Sequence, residues 1–388
     1  MSRILVLNKL SAEGLAILSE NFDVEWHANP DGIIVRSMKV DTDNYANVSA
    51  IARAGAGVNN ITVDKATKRG ICVFNTPGAN ANAVAELVFI MLGVYARRVA
   101  SALEFVRQLN GTDDEISAKV EAEKSHFSGF ELNNKTLGVV GLGKIGVLVA
   151  NAGIGRGMKV VGYDAHPTLE NMHQLNSQVT CAMRMEDVLS KADILSVHVP
   201  LKDETRNLIG AGQICPMKPG CVVMNYARSG IYNDAAVIDA LDTNRLAAYI
   251  TDFPTANLLK HERVICTPHL GASTAESEEK CAVMAAKQMT NFLKRGVVSN
   301  SVNFPALEVF PSQGTVTRLV VVNKDVPNVI AEVSGILGGA GVNIHAFFNA
   351  SNGQIGYNLV DVKTDVDEQL IGQIRLLPNV IRTSKICL

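Results

Sequence analysis

The stretch KTLGVVGLGKIGVLVANAGIGRGMKVVGYD, residues 135–164, decides the fold. Residues 137–140 are a short apolar run that reads as a strand buried in a parallel sheet. Gly141, Gly143 and Gly146 follow at once in GLGKIG, with Lys144 and Ile145 between them. The first glycine permits the tight turn, the second lets backbone approach a pyrophosphate, and the third lets helix and strand pack closely. Residues 145–155 read as a helix whose free N–H groups face the phosphates. Residues 158–163 read as a second strand, ended by Asp164. That acid stands 23 residues after Gly141, near the ~20 expected of a ribose-binding carboxylate. A carboxylate there repels a 2′-phosphate, so NAD is expected rather than NADP. The competing readings are a glycine-rich turn without a ligand, and an aspartate that caps a loop.

Working outward, 388 residues suffice for two or three domains, and 47% hydrophobic residues allow a large core. A net charge of −2 without a basic block argues against nucleic acid as a partner. Arg3 and Lys9 interrupt any signal-peptide core near the start, and no charge-free apolar run is long enough to span a bilayer. No membrane association is therefore expected. The seven cysteines are scattered with no CxxC pair. Reduced thiols, no metal site and a cytoplasmic setting are the expectation.

Before the glycine turn, strands are expected at residues 3–8, 22–26, 32–35, 51–54 and 71–75, with a helix at 12–20. Such β–loop–α alternation suggests a first parallel domain. Arg36 with Lys39, Arg53 in its glycine-rich turn, and Asn80 in the turn 78–80 are candidates to hold an anionic substrate. For Arg53 the alternative is a surface arginine with a solvated head. Residues 83–99 read as one long apolar helix carrying Glu86, and residues 100–124 as amphipathic. After the turn, four further strands deliver polar residues to one sheet edge. They end in His198-Val199-Pro200 with Thr205 beyond, in Ala227-Arg228, in Asp252, and in Pro268-His269 with Gly271 beyond. Residues 275–294 read as a helix returning to the first domain, and 295–313 as a semi-rigid linker. The remainder reads βαββαβ, a ferredoxin-like outline.

Arg228 and His269 together suit oxidation of a 2-hydroxy acid. The hydroxyl proton needs a base, which histidine supplies, and the carboxylate needs a cation that can grip it with two hydrogen bonds. The alternatives are a structural ion pair for Arg228 and a histidine packed before a helix for His269.

LGVVGLGKIG, HVPL, NYARSG, the strand ending at Asp252, and TPHLGAST resemble the D-isomer-specific 2-hydroxyacid dehydrogenases. RAGAGVNNI and FNTPGANANAVAE resemble the branch that acts on 3-phosphoglycerate, and the tail, with DVPN and GGAGVNIHA, resembles an ACT domain. The resemblance implies two Rossmann-like parallel α/β domains plus a C-terminal ferredoxin-like ACT domain. Residues 1–97, completed by 275–300, would bind substrate; 98–274 would bind NAD; 301–314 would link to the regulatory domain, 315–388. It implies NAD-dependent oxidation of a phosphorylated 2-hydroxy acid in serine biosynthesis, an amino-acid effector at the tail, and a homodimer or homotetramer. Arg228 then binds carboxylate and His269 is the acid/base. Gly141, Gly143, Lys144, Ile145, Gly146, Asp164, His198, Val199, Pro200, Thr205, Ala227, Asp252 and Gly271 match cofactor contacts, and Arg53 and Asn80 match the substrate side.

Two departures stand out. The glutamate usual five residues beyond Asp252 is Asn257. A neutral amide orients an imidazole but does not hold an imidazolium as a carboxylate does. Glu262 is a substitute by its place in the loop. In the tail, the turn glycine after Pro327 is Asn328, and the effector-lining positions read Asn323 and Asp325, which puts serine feedback in doubt. Rival functions are a hydroxypyruvate or glyoxylate reductase and a catalytically silent NAD-sensing protein.

Overall fold

The computed structural model describes residues 1–25 and 27–388. The chain divides into two compact units, Met1–Asn80 with Ala275–Leu388, and Ala81–Thr274.

In the first unit, β1 (Ile4–Val6), β2 (Gly32–Val35), β3 (Ala50–Arg53) and β4 (Cys72–Phe74) form a parallel sheet in that order. Successive side chains of a strand face opposite ways. Ile34, Ala52 and Phe74 thus meet Ala285, Met289 and Phe292 of the long helix Ala275–Arg295, whereas Ile33, Ile51 and Val73 meet Val40, Ile61 and Ala66. Among the described residues of the stretch 22–26, none belongs to a strand. Asp23 makes a single bridge with Arg3, and Trp26 lies outside the described residues.

The tail belongs to this unit. β12 (Thr317–Lys324), β13 (Ile344–Ser351), β14 (Ile355–Val362) and β15 (Val380–Cys387) form an antiparallel sheet in the order β13-β14-β12-β15, the ferredoxin-like arrangement. Its Leu319, Val321, Val360 and Val362 face the helices Val329–Gly339 and Glu368–Arg375. Its Val320, Val322, Tyr357 and Leu359 join the core of the first sheet. At that junction Arg318 and Asp361, both wholly buried, pair at 2.6 Å, and Arg318 also donates to the carbonyls of Arg295 and Val309. The expected linker is stitched down too: Asn303, 7% exposed, accepts from Val73 N–H and donates to Thr67 Oγ1 and the Ile71 carbonyl. Asn328 has φ +75°. Asparagine tolerates that left-handed conformation better than most residues, so it can stand where a glycine is usual.

In the second unit, β5 (Thr136–Val140), β6 (Lys159–Tyr163), β7 (Thr180–Cys181), β8 (Ile194–Val197), β9 (Cys221–Asn225), β10 (Leu246–Thr251) and β11 (Val264–Cys266) form a parallel sheet, order β11-β10-β9-β8-β5-β6-β7. The order reverses between β5 and β8, and ligands of such sheets bind beyond the strand C-termini at that reversal. The helix expected over 83–99 is two, Ala81–Ala96 and Val99–Gln108, separated by left-handed Arg98 at φ +51°. Val84, Val88 and Leu92 pack with Leu137, Val139 and Val147, which places the first of these helices with the glycine-turn unit.

Candidate active site

Three neighbouring strands carry the chemistry-bearing loops. Asn225 on β9, Thr251 on β10 and Cys266 on β11 are register partners, and Arg228 and His269 each lie three residues beyond their partner. Asn225, 1% exposed, shapes the first loop. Its Oδ1 accepts from Ala227 N–H at 3.1 Å and its Nδ2 donates to the Arg228 carbonyl at 3.0 Å. The half-buried Arg228 donates Nη1 to the Ala227 carbonyl at 2.7 Å. Among the described residues it has no carboxylate partner, and burial pulls its pKa below the ordinary arginine value. A desolvated guanidinium without a counter-ion is a seat for an anion.

His269 is exposed, with φ +57°. Its N–H donates to the carbonyls of Asp252 and Thr267 at 3.1 and 3.0 Å. Asp252, 2% exposed, faces this loop and not open solvent. Its Oδ1 accepts from Thr267 Oγ1 at 2.6 Å and Leu270 N–H at 2.7 Å, and its Oδ2 accepts from Gly271 N–H at 2.7 Å. Asp252 and Gly271, expected to touch the cofactor, thus spend these polar groups on the loop that presents His269. Asn257 and Glu262 are both exposed, and among the described residues no hydrogen bond or ion pair joins either to His269.

At the glycine turn, Gly141 has φ +93°, and a Cβ there would lie 2.7 Å from the His198 carbonyl. A Cβ on Gly146 would lie 1.8 Å from the Gly141 carbonyl, so turn and helix approach as closely as glycine allows. A Cβ on Gly143 would meet nothing within 4 Å, an open cradle at the N-terminus of the helix Lys144–Ile154. Lys144 pairs with Glu170, and Ile145 packs into the core. The Asp164 carboxylate accepts from Leu142 N–H and His166 N–H, each at 2.7 Å, so it braces the turn from within. His198 Nε2 meets Ser196 Oγ at 2.8 Å, and its Nδ1 is buried without a partner. Burial pushes His198 down to about 3, so its imidazole is neutral at physiological pH. Val199 packs close to Gly141, and Pro200 accepts at its carbonyl from Thr205 Oγ1 at 2.6 Å. The Thr205 hydroxyl is thereby turned to its own loop. The open cradle at Gly143 and the orphaned Nδ1 of His198 are features that a dinucleotide fits.

In the first unit, Arg53 donates Nε to the Arg36 carbonyl at 3.0 Å and Nη1 to the Gly57 carbonyl at 2.5 Å. Arg36 pairs with Glu278 at 2.5 Å, while Lys39 is exposed. Asn80 Oδ1 is buried without a partner. Both arginines therefore hold protein groups, which their positions in the sequence did not indicate.

Residues 99–271 match the family model described as D-isomer specific 2-hydroxyacid dehydrogenase, NAD binding domain. The chain is 32% identical over 339 residues to D-3-phosphoglycerate dehydrogenase of Escherichia coli, covering 84% of this chain and 78% of the relative. It belongs to the D-isomer specific 2-hydroxyacid dehydrogenase family. Its cofactor is NAD. It is 36% identical over 289 residues to D-3-phosphoglycerate dehydrogenase of Archaeoglobus fulgidus, covering 72% of this chain. There it spans only about half, 52%, of the relative's length. The NAD-bound 3-phosphoglycerate dehydrogenase of Entamoeba histolytica superposes with a TM-score of 0.62 at 29% identity, covering 78% of this chain and 98% of that one. Among the described residues no helix is long and apolar enough to cross a membrane.

Asn225, Thr267 and Phe253 were missed in the sequence. Asn225 and Thr267 stand inside the motifs NYARSG and TPHLGAST, and that placement was the available signal.

Proposed function

We propose that the chain oxidises 3-phospho-D-glycerate to 3-phosphohydroxypyruvate with NAD, the first step of L-serine biosynthesis. The observation that carries this reading is Arg228, desolvated and, among the described residues, without a carboxylate partner, in register with His269 on the sheet that carries the dinucleotide turn. NAD, when bound, supplies the hydride acceptor. Arg228 grips the substrate carboxylate and holds the C2 hydroxyl toward His269, whose imidazole nitrogen takes the hydroxyl proton. In reverse, the protonated ring returns it while Arg228 polarises the carbonyl. Residues 1–80 with 275–300 serve as the substrate side and 81–274 as the NAD side, because the helix expected to end the substrate side packs with the glycine-turn unit. Residues 301–314 join these to residues 315–388, an ACT module that takes an amino-acid effector. The seven unpaired cysteines support a cytoplasmic setting, and a homodimer or homotetramer is the assembly that the resemblance of the sequence implies.

A second reading is a reductase of hydroxypyruvate or glyoxylate. Pairing of Arg36 with Glu278 favours it, because that guanidinium is then not offered to a phosphate. Turnover of 3-phosphoglycerate and of unphosphorylated glycerate, measured side by side with NAD, separates the two. Preference for the phosphorylated acid is expected; equal or better use of glycerate would favour the reductase.

A further inference from the structure

The His269 imidazole has an aromatic neighbour. The rings of Phe253 and His269 lie with centroids 5.1 Å apart and planes tilted by 59°. Tilted rings at this separation are in the favourable range for aromatic pairs. Both rings stand on Asp252. Phe253 follows it directly in the chain, and the Phe253 N–H donates to Thr251 Oγ1 at 3.2 Å. Pro254 comes next and confines Phe253 to extended backbone. His269 follows Pro268 and hangs by its own N–H from the Asp252 carbonyl. Asp252 is 2% exposed and its carboxylate is filled by three donors. The two rings are therefore mounted on one rigid support. Among the described residues, Asn257 and Glu262, the candidates to orient the imidazole, make no hydrogen bond or ion pair to it.

We propose that Phe253 is the positioning residue of the His269 imidazole, fixing by ring contact the plane that a carboxylate fixes in other histidine bases. The inference rests on the reading of His269 as proton acceptor. An uncharged ring limits the rotamers of the imidazole but does not choose which nitrogen carries the proton. Binding of NAD and substrate does not depend on this contact, whereas alignment for proton transfer does.

The test compares Phe253→Leu and Phe253→Tyr in the full chain. The readouts are kcat and KM for 3-phosphoglycerate, NAD affinity by titration, and the ring signals of isotope-labelled histidine. Phe253→Leu is expected to lose the ring-current displacement of the His269 C–H signals. It lowers kcat about three- to tenfold, the size expected of an aromatic pair, and leaves KM and NAD affinity at parental values. Phe253→Tyr restores both the displacement and kcat. Parental kcat in the leucine variant overturns the proposal. So does a parallel loss of NAD binding and fold that tyrosine fails to repair, since Phe253 is then a packing residue only. If the leucine variant does not fold, Phe253→Met carries the same comparison. A parent that binds NAD but oxidises no 2-hydroxy acid overturns the functional reading, and with it this role for Phe253. An active parent with an unaffected leucine variant overturns this inference alone.

Discussion

The N–H of His269 donates to the carbonyl of Asp252 at 3.1 Å, while the Asp252 carboxylate accepts from Leu270 and Gly271 on the far side of the same histidine. The loop is thus held from both flanks by one buried residue, and His269 stands in a left-handed conformation that few residues adopt unaided.

Asp252→Asn should therefore loosen the loop and destabilise the unit. An amide can face the loop's donors with only one acceptor oxygen, so one N–H loses its partner. A hydrogen bond to a charged group contributes roughly 1.5–3 kcal/mol, and a loss near that size is expected in denaturant unfolding, together with reduced kcat. Unchanged stability would show that water replaces the missing acceptor.

The Arg318–Asp361 pair gives a pH prediction. Burial raises the Asp361 pKa, but the Arg318 guanidinium and the Ser312 N–H more than offset that, and the net shift is downward. A depressed carboxylate contributes stability above its unfolded value near 3.8, and loses it as pH falls through the folded value. Arg318→Met leaves the acid buried and unpaired, at a cost of about 3–5 kcal/mol near neutral pH. Without the guanidinium, burial raises the Asp361 pKa, so the gap between parent and variant should begin to shrink above the ordinary carboxylate value and go on shrinking until the parent's depressed carboxyl is protonated too. A gap independent of pH would contradict the pairing.

On the proposed reading Asp164 sets the preference for NAD over NADP. Its carboxylate also braces Leu142 and His166, so Asp164→Ser should narrow the preference for NAD and weaken binding of both cofactors. Equal kcat/KM for NAD and NADP in the parent would refute its role.

Asn257→Glu should move the oxidative limb of the kcat/KM profile to higher pH, if the new carboxylate reaches the imidazole and favours its protonated form. One pKa unit corresponds to about 1.4 kcal/mol, well within the resolution of such a titration. Should Glu262→Gln alone shift the profile, and shift it to lower pH, the acid lies further along the loop than Asn257.

The glycine turn was legible because GLGKIG, the strand before it and Asp164 are local, and their spacing alone states the geometry. Arg228 and His269 were legible as strand-end residues. Their alignment was not, because it depends on the register of three strands. The inward turn of Asp252 needed the same register. The pairing of Arg36 with Glu278 joins residues 242 apart in the chain, and nothing local marks it. The break at Arg98 carries no glycine or proline signal. The docking of the tail did leave a trace: Leu319, Val320, Val321 and Val322 are apolar on both faces, as a strand buried on both sides must be.

The most direct measurement is steady-state oxidation of 3-phosphoglycerate by His269→Ala and Arg228→Ala beside the parent. His269→Ala should lose kcat by roughly 10²–10⁴-fold with little change in KM, the loss expected of a positioned acid–base group. Arg228→Ala should lose both kcat and apparent affinity, since in the proposed mechanism the guanidinium binds the carboxylate and polarises the reacting carbonyl. Near-parental kcat in His269→Ala would remove the histidine from the chemistry and contradict the assignment.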